Sequence, residues 1–215
     1  MFNQSKLQAI KEAIVSESES LPGRNEAMKI TAVHAVNNQD MKRALTSNEE
    51  RIVLGMGCFW GAERKLWNTA GVIVTSVGYA GGYTLNPTYE EVCTGATGHT
   101  EVVNVIFDSE QTSLDEVLRV FWENHNPVQG MKQGNDVGTQ YRSAIYITDE
   151  SQQEVVEKSF EAYQKELVES GFGSITTECR ELETYYFAEE YHQQYLHKNV
   201  NGYCGLKGTG VTCSI

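Results

Sequence analysis

The order of strand and helix patterns between residues 51 and 148 constrains the fold of this chain more than any other sequence feature. Four short segments rich in apolar and β-branched residues predict strands, and two amphipathic segments between them predict helices. The predicted strands cover residues 51–57, 72–79, 101–107 and 143–148. Two successive β-α-β units predict an α+β fold, a two-layer, split β-α-β (ferredoxin-like) sandwich with a mixed sheet.

The segments on either side of this pattern differ from it in character. Residues 1–50 are predicted to form an N-terminal extension, because their weak helical periodicity is broken by an acidic, polar run. A further helix and strand follow the second unit, so a single domain is expected over residues 51–198. Residues 199–215 alternate glycine with polar residues and carry two cysteines, which predicts a flexible C-terminal tail.

The charge balance limits the classes of partner. The 215 residues include 17 Lys and Arg against 29 Asp and Glu, a formal net charge of −12. Nucleic acids and anionic membrane surfaces require a concentrated positive face, so neither is expected as a partner. No apolar run approaches a membrane-spanning length, and residues 1–6 are mixed and polar, without a signal-peptide pattern. We therefore expect a soluble, cytoplasmic protein.

Cys58 lies where the first predicted strand meets the first predicted helix. The N–H groups and the dipole of a helix N-terminus favour a thiolate, the reactive form of cysteine. Phe59 and Trp60 follow the sulfur directly, so a reactive atom and an apolar wall would be built together. The alternative is a small buried cysteine among core aromatics. This segment alone leaves both interpretations open.

Cys204 and Cys213 lie in the glycine-rich tail, nine positions apart. Two mobile thiols and a separate activated thiol are what a relay of disulfide exchange requires. Incidental cysteines in a disordered terminus are one alternative. A zinc-binding interaction module is another, although this spacing lacks the close pairs of common structural zinc sites. The odd total of five cysteines argues against a secreted disulfide framework.

Two further segments offer polar groups for a site. Glu101 shares a strand face with apolar residues, and burial there would raise its carboxyl pKa, although a strand-end carboxylate can also reach solvent. The glycine-bracketed loop 134–143 offers Asp136 as an acceptor and Tyr141 as a hydrogen-bond donor. Ordinary turn chemistry also accounts for Asp136. For His192, packing or hydrogen bonding is the favoured interpretation.

Together these segments resemble the A-type peptide methionine-sulfoxide reductases, in the longer bacterial form. The residues that carry the resemblance are Gly57-Cys58-Phe59-Trp60-Gly61, Gly78-Tyr79-Ala80-Gly81-Gly82, Asn86-Pro87-Thr88-Tyr89, Gly98-His99-Thr100-Glu101, residues 134–143 and His192-Gln193-Gln194-Tyr195-Leu196. The resemblance spans about residue 50 to the C-terminus. It implies that residues 51–198 form a catalytic domain.

The resemblance also implies how the sulfoxide is held and attacked. Cys58 would be the thiolate that attacks the sulfoxide sulfur. Phe59 and Trp60 would line the pocket for the methyl group. The product would be methionine, with a sulfenic acid left on Cys58.

Four other residues acquire roles around the sulfoxide oxygen through the same resemblance. Glu101 would protonate or polarise this oxygen. Tyr89 and Tyr141 would donate hydrogen bonds to it, and Asp136 would organise polar contacts through water. The other cysteines of the domain, Cys93 and Cys179, match no catalytic position and are expected to be structural thiols.

Recycling would use the tail. By resemblance, Cys204 would resolve the sulfenic acid as a disulfide, and Cys213 would take over that bond and present it to thioredoxin. Thioredoxin, reduced by NADPH and thioredoxin reductase, would be the external reductant, with no bound cofactor and no metal. Substrates would be the S-sulfoxides of protein-bound and free methionine, and a monomer is expected.

Two functions of other classes remain as alternatives. A cysteine hydrolase would use Cys58 with His99 or His192 as the base. A zinc-binding module would use Cys204 and Cys213 instead. Hydrolases do not require mobile resolving thiols, and zinc modules do not require an activated thiol at a helix start.

Overall fold

A computed structural model describes residues 13–215. The first part of the predicted N-terminal extension, residues 1–12, lies outside the described residues. The strands are β1 (Glu49–Met56), β2 (Val72–Ala80), β3 (Thr100–Asp108), β4 (Lys132–Gln133), β5 (Asp136–Val137), β6 (Ser143–Ile147), β7 (Glu178–Glu181) and β8 (Tyr185–Phe187). The α-helices are α1 (Phe59–Trp67), α2 (Tyr89–Cys93), α3 (Leu114–Asn124), α4 (Gln153–Glu169) and α5 (Tyr195–Lys198).

The main sheet has six strands in the order β7-β6-β1-β3-β2-β8. β3 lies between β1 and β2, and β1 lies between β3 and β6, all in antiparallel pairs. Each β-α-β unit is therefore split by a strand of the other unit, as the sequence predicted. β7 pairs with β6 in parallel and makes the sheet mixed, whereas β8 pairs with β2 antiparallel. The predicted α+β class is confirmed.

The main core lies between one face of this sheet and helices α1, α3 and α4. Val103, Val105 and Phe107 of β3 belong to it, as the alternation in the sequence predicted. Glu101 lies on the same face at the start of that strand, opposite Tyr79 of β2. The core face of β3 therefore carries a carboxyl group to the place where β1 passes into α1.

Two helices begin later than local sequence signals favour. Asn86-Pro87 is typical of a cap followed by the first helical residue, but α2 begins at Tyr89 and Thr88 is its cap. Thr88 and Glu91 form a reciprocal capping box, which satisfies two N–H groups of the first turn. Ser151 and Glu154 have the spacing of a capping box, but a short 3-10 turn precedes α4, which begins at Gln153.

The N-terminal extension packs against the domain over its described part. His34 and Met41 are buried, and an isolated bridge joins Gly23 to Leu85. The carbonyl oxygen of Leu21 accepts a hydrogen bond from the hydroxyl of Thr84 at 2.7 Å. These contacts tie the extension to the loop that follows β2.

The C-terminal segment differs from the predicted flexible tail. From Gly202 onward it has no helix or strand, yet it packs along the domain. Cys213 is buried in the main core, and its backbone N–H donates to Glu123 of α3 at 2.9 Å. The glycines of the segment have no side chain to pack, but its apolar residues do. Those in contact with the core are Leu206, Val211 and Ile215. Within residues 13–215, no helix has the length and apolar character needed to cross a membrane.

Candidate active site

Cys58 occupies the N-cap position of α1, directly after β1. Gly57 makes the connection with a φ of +88°, a conformation that favours glycine, and a Cβ there would collide with the side chain of Gln133. The backbone N–H groups of Trp60 and Gly61 form hydrogen bonds with the Cys58 sulfur. The predicted junction of strand and helix thus places the half-buried thiol at the helix N-terminus.

The surroundings of Cys58 nevertheless favour the protonated thiol over the thiolate. Burial raises its pKa most, the nearby Glu101 raises it further, and the N–H groups of Trp60 and Gly61 lower it by less. The helix N-terminus therefore acts in the predicted direction, but burial outweighs it. Glu101 raises the Cys58 pKa only as an anion. Protonation of Glu101 therefore removes one of the two main causes that disfavour the thiolate.

Glu101 is buried, with 1% of its surface exposed. Its Oε2 atom accepts the backbone N–H of Phe59 at 3.0 Å, which brings the carboxyl group to the first residue of α1. Burial raises its pKa to about 8, and the charge of Asp136 raises it as well, while the Phe59 hydrogen bond lowers it. At pH 7 the carboxyl is mainly neutral and can donate a proton.

Tyr89 and Tyr141 face this acid and thiol from two other elements. Tyr89 is the first residue of α2, and Tyr141 ends a short 3-10 turn before β6. Burial raises the pKa of both phenols, followed by the charge of Glu101 and, more weakly, that of Cys58. Both are therefore neutral hydrogen-bond donors. The side chain of Cys93 is hydrogen-bonded to Tyr89, so this thiol borders the site.

Aromatic rings form the other side of the site. Phe59 is buried and packs against Tyr79 and His192, with centroid distances of 5.9 and 5.0 Å. Trp60 is half-buried, and its ring stacks on Tyr195 at 3.9 Å. Trp60 is thus the more open of the two predicted pocket residues.

Asp136 lies in β5 at the margin of the site, half-buried. The hydroxyl of Tyr203 donates to its Oδ2 atom at 3.5 Å. Burial raises the Asp136 pKa. Its charge raises the pKa of both Cys58 and Glu101, which places it within electrostatic reach of both.

Cys204 lies against helix α1, close to the Cys58 end. A Cβ added to Gly61 would be 3.0 Å from the Cys204 Sγ atom and 3.0 Å from the Leu206 Cβ atom. A groove of about 360 Å³ runs beside this contact. All five cysteines are free thiols. The structure therefore brings Cys204 to the helix that begins at Cys58.

Cys213 is not part of this arrangement. Its side chain is 3% exposed within the main core. Burial raises its pKa to about 12, and Glu123 raises it further. Of the predicted site residues, Cys213 is the one that the structure places away from the others.

One residue beside the site, Glu189, has no role in the sequence prediction. Glu189 accepts the backbone N–H of Tyr89 at 2.7 Å and the hydroxyl of Tyr79 at 2.8 Å. His192 accepts the indole N–H of Trp60 at its Nδ1 atom, at 3.0 Å. The sequence did predict a hydrogen-bonding His192. Its signal was the motif that begins at this residue, which also contains Tyr195.

The geometry does not favour the two alternative functions. The Nε2 atom of His99 is hydrogen-bonded to the Thr84 carbonyl, and its Nδ1 atom accepts the Gly82 N–H. Both ring nitrogens are therefore engaged, and neither is free to take a proton from Cys58. Burial lowers the pKa of His99 and of His192 to about 4. In the described part of the chain, no group of three or more His, Cys, Asp or Glu side chains could hold a metal ion.

Comparison with known proteins identifies the family. A family model described as peptide methionine sulfoxide reductase matches residues 50–212. Peptide methionine sulfoxide reductase MsrA 1 of Synechocystis sp. is 57% identical over 205 residues, which cover 95% of this chain and 92% of that protein. A solved structure of methionine sulfoxide reductase A of Corynebacterium diphtheriae is 45% identical, with a TM-score of 0.85, over 94% of this chain and 99% of the other.

A more distant solved structure shares the fold alone. It is Mxr1 from Saccharomyces cerevisiae in complex with Trx2, which is 18% identical with a TM-score of 0.50, over 77% of this chain and 92% of the other. The match over residues 50–212 and the high identity to the Synechocystis protein decide the assignment. This chain belongs to the A-type peptide methionine sulfoxide reductases, oxidoreductases that reduce methionine sulfoxide with a thiol.

Proposed function

We propose that Cys58 reduces the S-sulfoxide of methionine, free or within proteins, with Glu101 as the proton donor. The observation that carries this assignment is the buried Glu101 carboxyl, which is hydrogen-bonded to the residue after Cys58 and has a pKa raised to about 8. One reductase type serves each sulfoxide epimer, and the A type takes the S epimer. The protonated acid and the thiol lie at the same helix end.

The reaction requires a proton at the sulfoxide oxygen. The Cys58 sulfur attacks the sulfoxide sulfur while Glu101 gives its proton to the oxygen, and the thiol proton replaces the one that Glu101 gave. The attack forms a sulfur–sulfur bond between Cys58 and methionine. The hydroxyl then passes to the Cys58 sulfur as this sulfur–sulfur bond and the sulfur–oxygen bond to methionine break. One thiol and one sulfoxide thus yield methionine and a sulfenic acid, with atoms and electrons balanced. A thiol that stays protonated until this moment is compatible with the exchange.

The remaining residues hold the substrate. Tyr89 and Tyr141 donate hydrogen bonds to the sulfoxide oxygen, since burial, the largest cause of their raised pKa values, keeps both phenols neutral. Trp60 and Phe59 receive the methyl group, which an aromatic surface binds better than water does. Asp136 organises polar contacts at the margin through water.

The tail completes the cycle. Cys204 attacks the sulfenic acid on Cys58, which releases water and forms the first disulfide. Its contact with Gly61, within the first turn of α1, supports this order. Cys213 then attacks this disulfide, and for that step the segment after Gly208 has to leave the core. Thioredoxin, supplied with electrons by NADPH and thioredoxin reductase, reduces the disulfide of the tail, so no bound cofactor is required.

The wider setting follows the same proposal. Residues 51–198 are the catalytic domain, preceded by the extension over 1–50 and followed by the recycling segment over 199–215. The protein acts as a monomer in the cytoplasm, on oxidised proteins and free methionine sulfoxide. Neither nucleic acid nor membrane is a partner, in keeping with the formal net charge of −12.

Thiol titration tests the proposal directly. Incubation with methionine S-sulfoxide and no reductant is expected to form methionine and to consume free thiols. Substitution of Cys58→Ser is expected to abolish both, and Cys213→Ser to permit one turnover but to impair recycling by thioredoxin. An unchanged thiol count with no methionine formed would contradict the proposed reaction. Full thioredoxin-dependent turnover by Cys213→Ser would contradict the relay.

A further inference from the structure

The turn over residues 189–195 supports the aromatic side of the site from behind. Through Glu189 it holds the backbone N–H of Tyr89, and through His192 it holds the indole N–H of Trp60. Tyr195 stacks on the Trp60 ring. The positions of Trp60 and Tyr89 therefore depend on the conformation of this turn.

That conformation includes an unfavourable backbone geometry at Gln194. Its φ is +47°, in the left-handed region that side chains other than glycine rarely adopt. Glu63 of α1 holds it with two hydrogen bonds. Its Oε2 atom accepts the Gln194 backbone N–H at 2.8 Å, and its Oε1 atom accepts the Gln194 side-chain amide at 2.7 Å. The strained residue is thus fixed to the same helix that begins at Cys58.

Glu63 is fully buried and has no ion pair with a cationic side chain in the part of the chain that the structure describes. Its third donor is the hydroxyl of Thr75 in β2, at 3.1 Å from Oε1. Burying a carboxyl group without a cation is costly unless its hydrogen bonds are satisfied. The proposed mechanism gives this group no role, so its place in the fold requires another explanation.

The N-terminal extension closes the network on the far side. The backbone N–H of Ala35 donates to Gln194 Oε1 at 3.1 Å, and His34 Nε2 lies 3.1 Å from Thr75 Oγ1. Because Thr75 donates its hydrogen to Glu63, His34 must donate to Thr75. The His34 Nδ1 atom accepts the Val36 N–H, which agrees with that tautomer. Gln194 of the turn is therefore hydrogen-bonded both to the extension, through Ala35, and to α1, through Glu63.

We infer that Glu63 and Gln194, braced by residues 34–36 of the extension, are positioning residues for sulfoxide binding. Neither touches the substrate. They fix the turn over residues 189–195, which sets Trp60 and Tyr89 at the distance that the methyl group and the oxygen require. This inference rests on the proposed function, because it concerns the binding of the same substrate.

Single-turnover kinetics without reductant test the inference. Methionine formation is measured against the concentration of methionine S-sulfoxide in wild type and Glu63→Gln. In one orientation the new NH₂ group faces the Gln194 backbone N–H, and in the other it faces the Gln194 side-chain NH₂ group and the Thr75 hydroxyl, so donors oppose each other in both cases. We expect the half-saturating concentration to rise about tenfold while the limiting rate stays within about twofold, since small displacements of binding groups weaken binding. Alkylation of Cys58 by iodoacetamide is expected to be unchanged.

A reciprocal exchange separates positioning from general loss of structure. In the double variant Glu63→Gln/Gln194→Glu, the amide–carboxylate pair is restored with its ends exchanged, and the Ala35 N–H keeps an acceptor. We expect the half-saturating concentration to return to within about threefold of wild type. Met41→Leu is the matched control, because it removes only the weaker hydrogen bond that the Gln194 amide donates to the Met41 sulfur, at 3.4 Å, and leaves both bonds to Glu63 in place.

Should Glu63→Gln fold poorly, Gln194→Met leaves two donors on Glu63 and is expected to raise the half-saturating concentration about threefold. The inference is overturned by unchanged half-saturation in both single variants, or by a parallel fall of limiting rate and Cys58 alkylation that the exchange does not rescue. Absence of methionine formation by the wild type would instead overturn the proposed function.

Discussion

The two cysteines of the tail lie in different surroundings although they are nine positions apart in the chain. Cys204 is exposed and lies against Gly61 in the first turn of α1, whereas Cys213 is buried in the core beside α3. In the proposed relay, the first thiol would therefore exchange with Cys58 from the position that it already occupies. The second would become available only when its segment leaves the core, so the two proposed exchange steps would be separated in time.

Removal of the thiol that already lies against α1 is expected to have the largest effect. Cys204→Ser is expected to form about one equivalent of methionine and then stop, because no thiol beside the start of α1 can attack the sulfenic acid on Cys58. Thioredoxin-dependent turnover should fall at least about a hundredfold. A dimedone adduct on Cys58, detected by mass spectrometry, checks the accumulation of sulfenic acid.

The exposed Cys179 provides the matched control, since Cys179→Ser is expected to retain wild-type turnover. If Cys204→Ser continues to turn over with thioredoxin, then Cys213 reaches Cys58 directly and the docked position of Cys204 has no part in the order of exchange.

The second prediction concerns the burial of Cys213. With a pKa of about 12, only about one Cys213 thiol in 10⁴ is ionised at pH 8, against about one in four for an ordinary cysteine. A more basic thiolate is the stronger nucleophile and recovers part of this loss. We therefore expect iodoacetamide to alkylate Cys213 about a hundredfold more slowly than an unburied thiol, as measured by peptide mapping.

The same reaction in guanidinium provides the control, because unfolding exposes Cys213 and should remove the difference. The raised pKa of Cys213 also makes the stability of the docked segment depend on pH. A thiol whose pKa is higher in the folded protein stabilises the docked segment below the unfolded pKa, and this contribution is lost as the pH rises toward 12. Equal rates for Cys204 and Cys213 in the native protein at pH 8 would show that the segment leaves the core freely.

The third prediction tests the contact at Gly61. In Gly61→Ala the added methyl group would meet the Cys204 sulfur at 3.0 Å, so the tail must move away from α1. Formation of the Cys58–Cys204 disulfide is expected to slow about tenfold, while the preceding methionine formation stays within about twofold. Thiol loss and methionine release, followed in one rapid-quench experiment, distinguish the two steps.

Gly173→Ala is the control, since a Cβ at that position meets nothing within 4 Å. Equal slowing of both steps by Gly61→Ala would indicate a disturbed helix start, and an unchanged disulfide step would show that Cys204 approaches Cys58 by another path.

The comparison also shows what sequence patterns can and cannot predict. The two split β-α-β units and the core face that carries Glu101 follow from local periodicity, which is visible in the residues themselves. The docking of Val211 and Cys213 does not, because it depends on a core surface formed by α3 and α4, far away in the chain. For Cys58 the sequence gives the helix N-terminus but not the burial that outweighs it.

The smallest expected effect belongs to Glu123, which links the docked half of the tail to α3. Its carboxylate accepts the Cys213 N–H and, after burial, is the largest cause of the raised thiol pKa. Glu123→Gln keeps an oxygen acceptor for this N–H but removes the charge. The pKa of Cys213 should fall, and its alkylation at pH 8 should accelerate about threefold. Glu110→Gln, in an exposed turn, is the charge-matched control.

Because Glu123→Gln leaves Cys213 buried, Cys213 should still react far more slowly than Cys204. An alkylation rate as high as that of Cys204 would mean that the Glu123 hydrogen bond, rather than apolar packing, keeps the second thiol out of the first exchange.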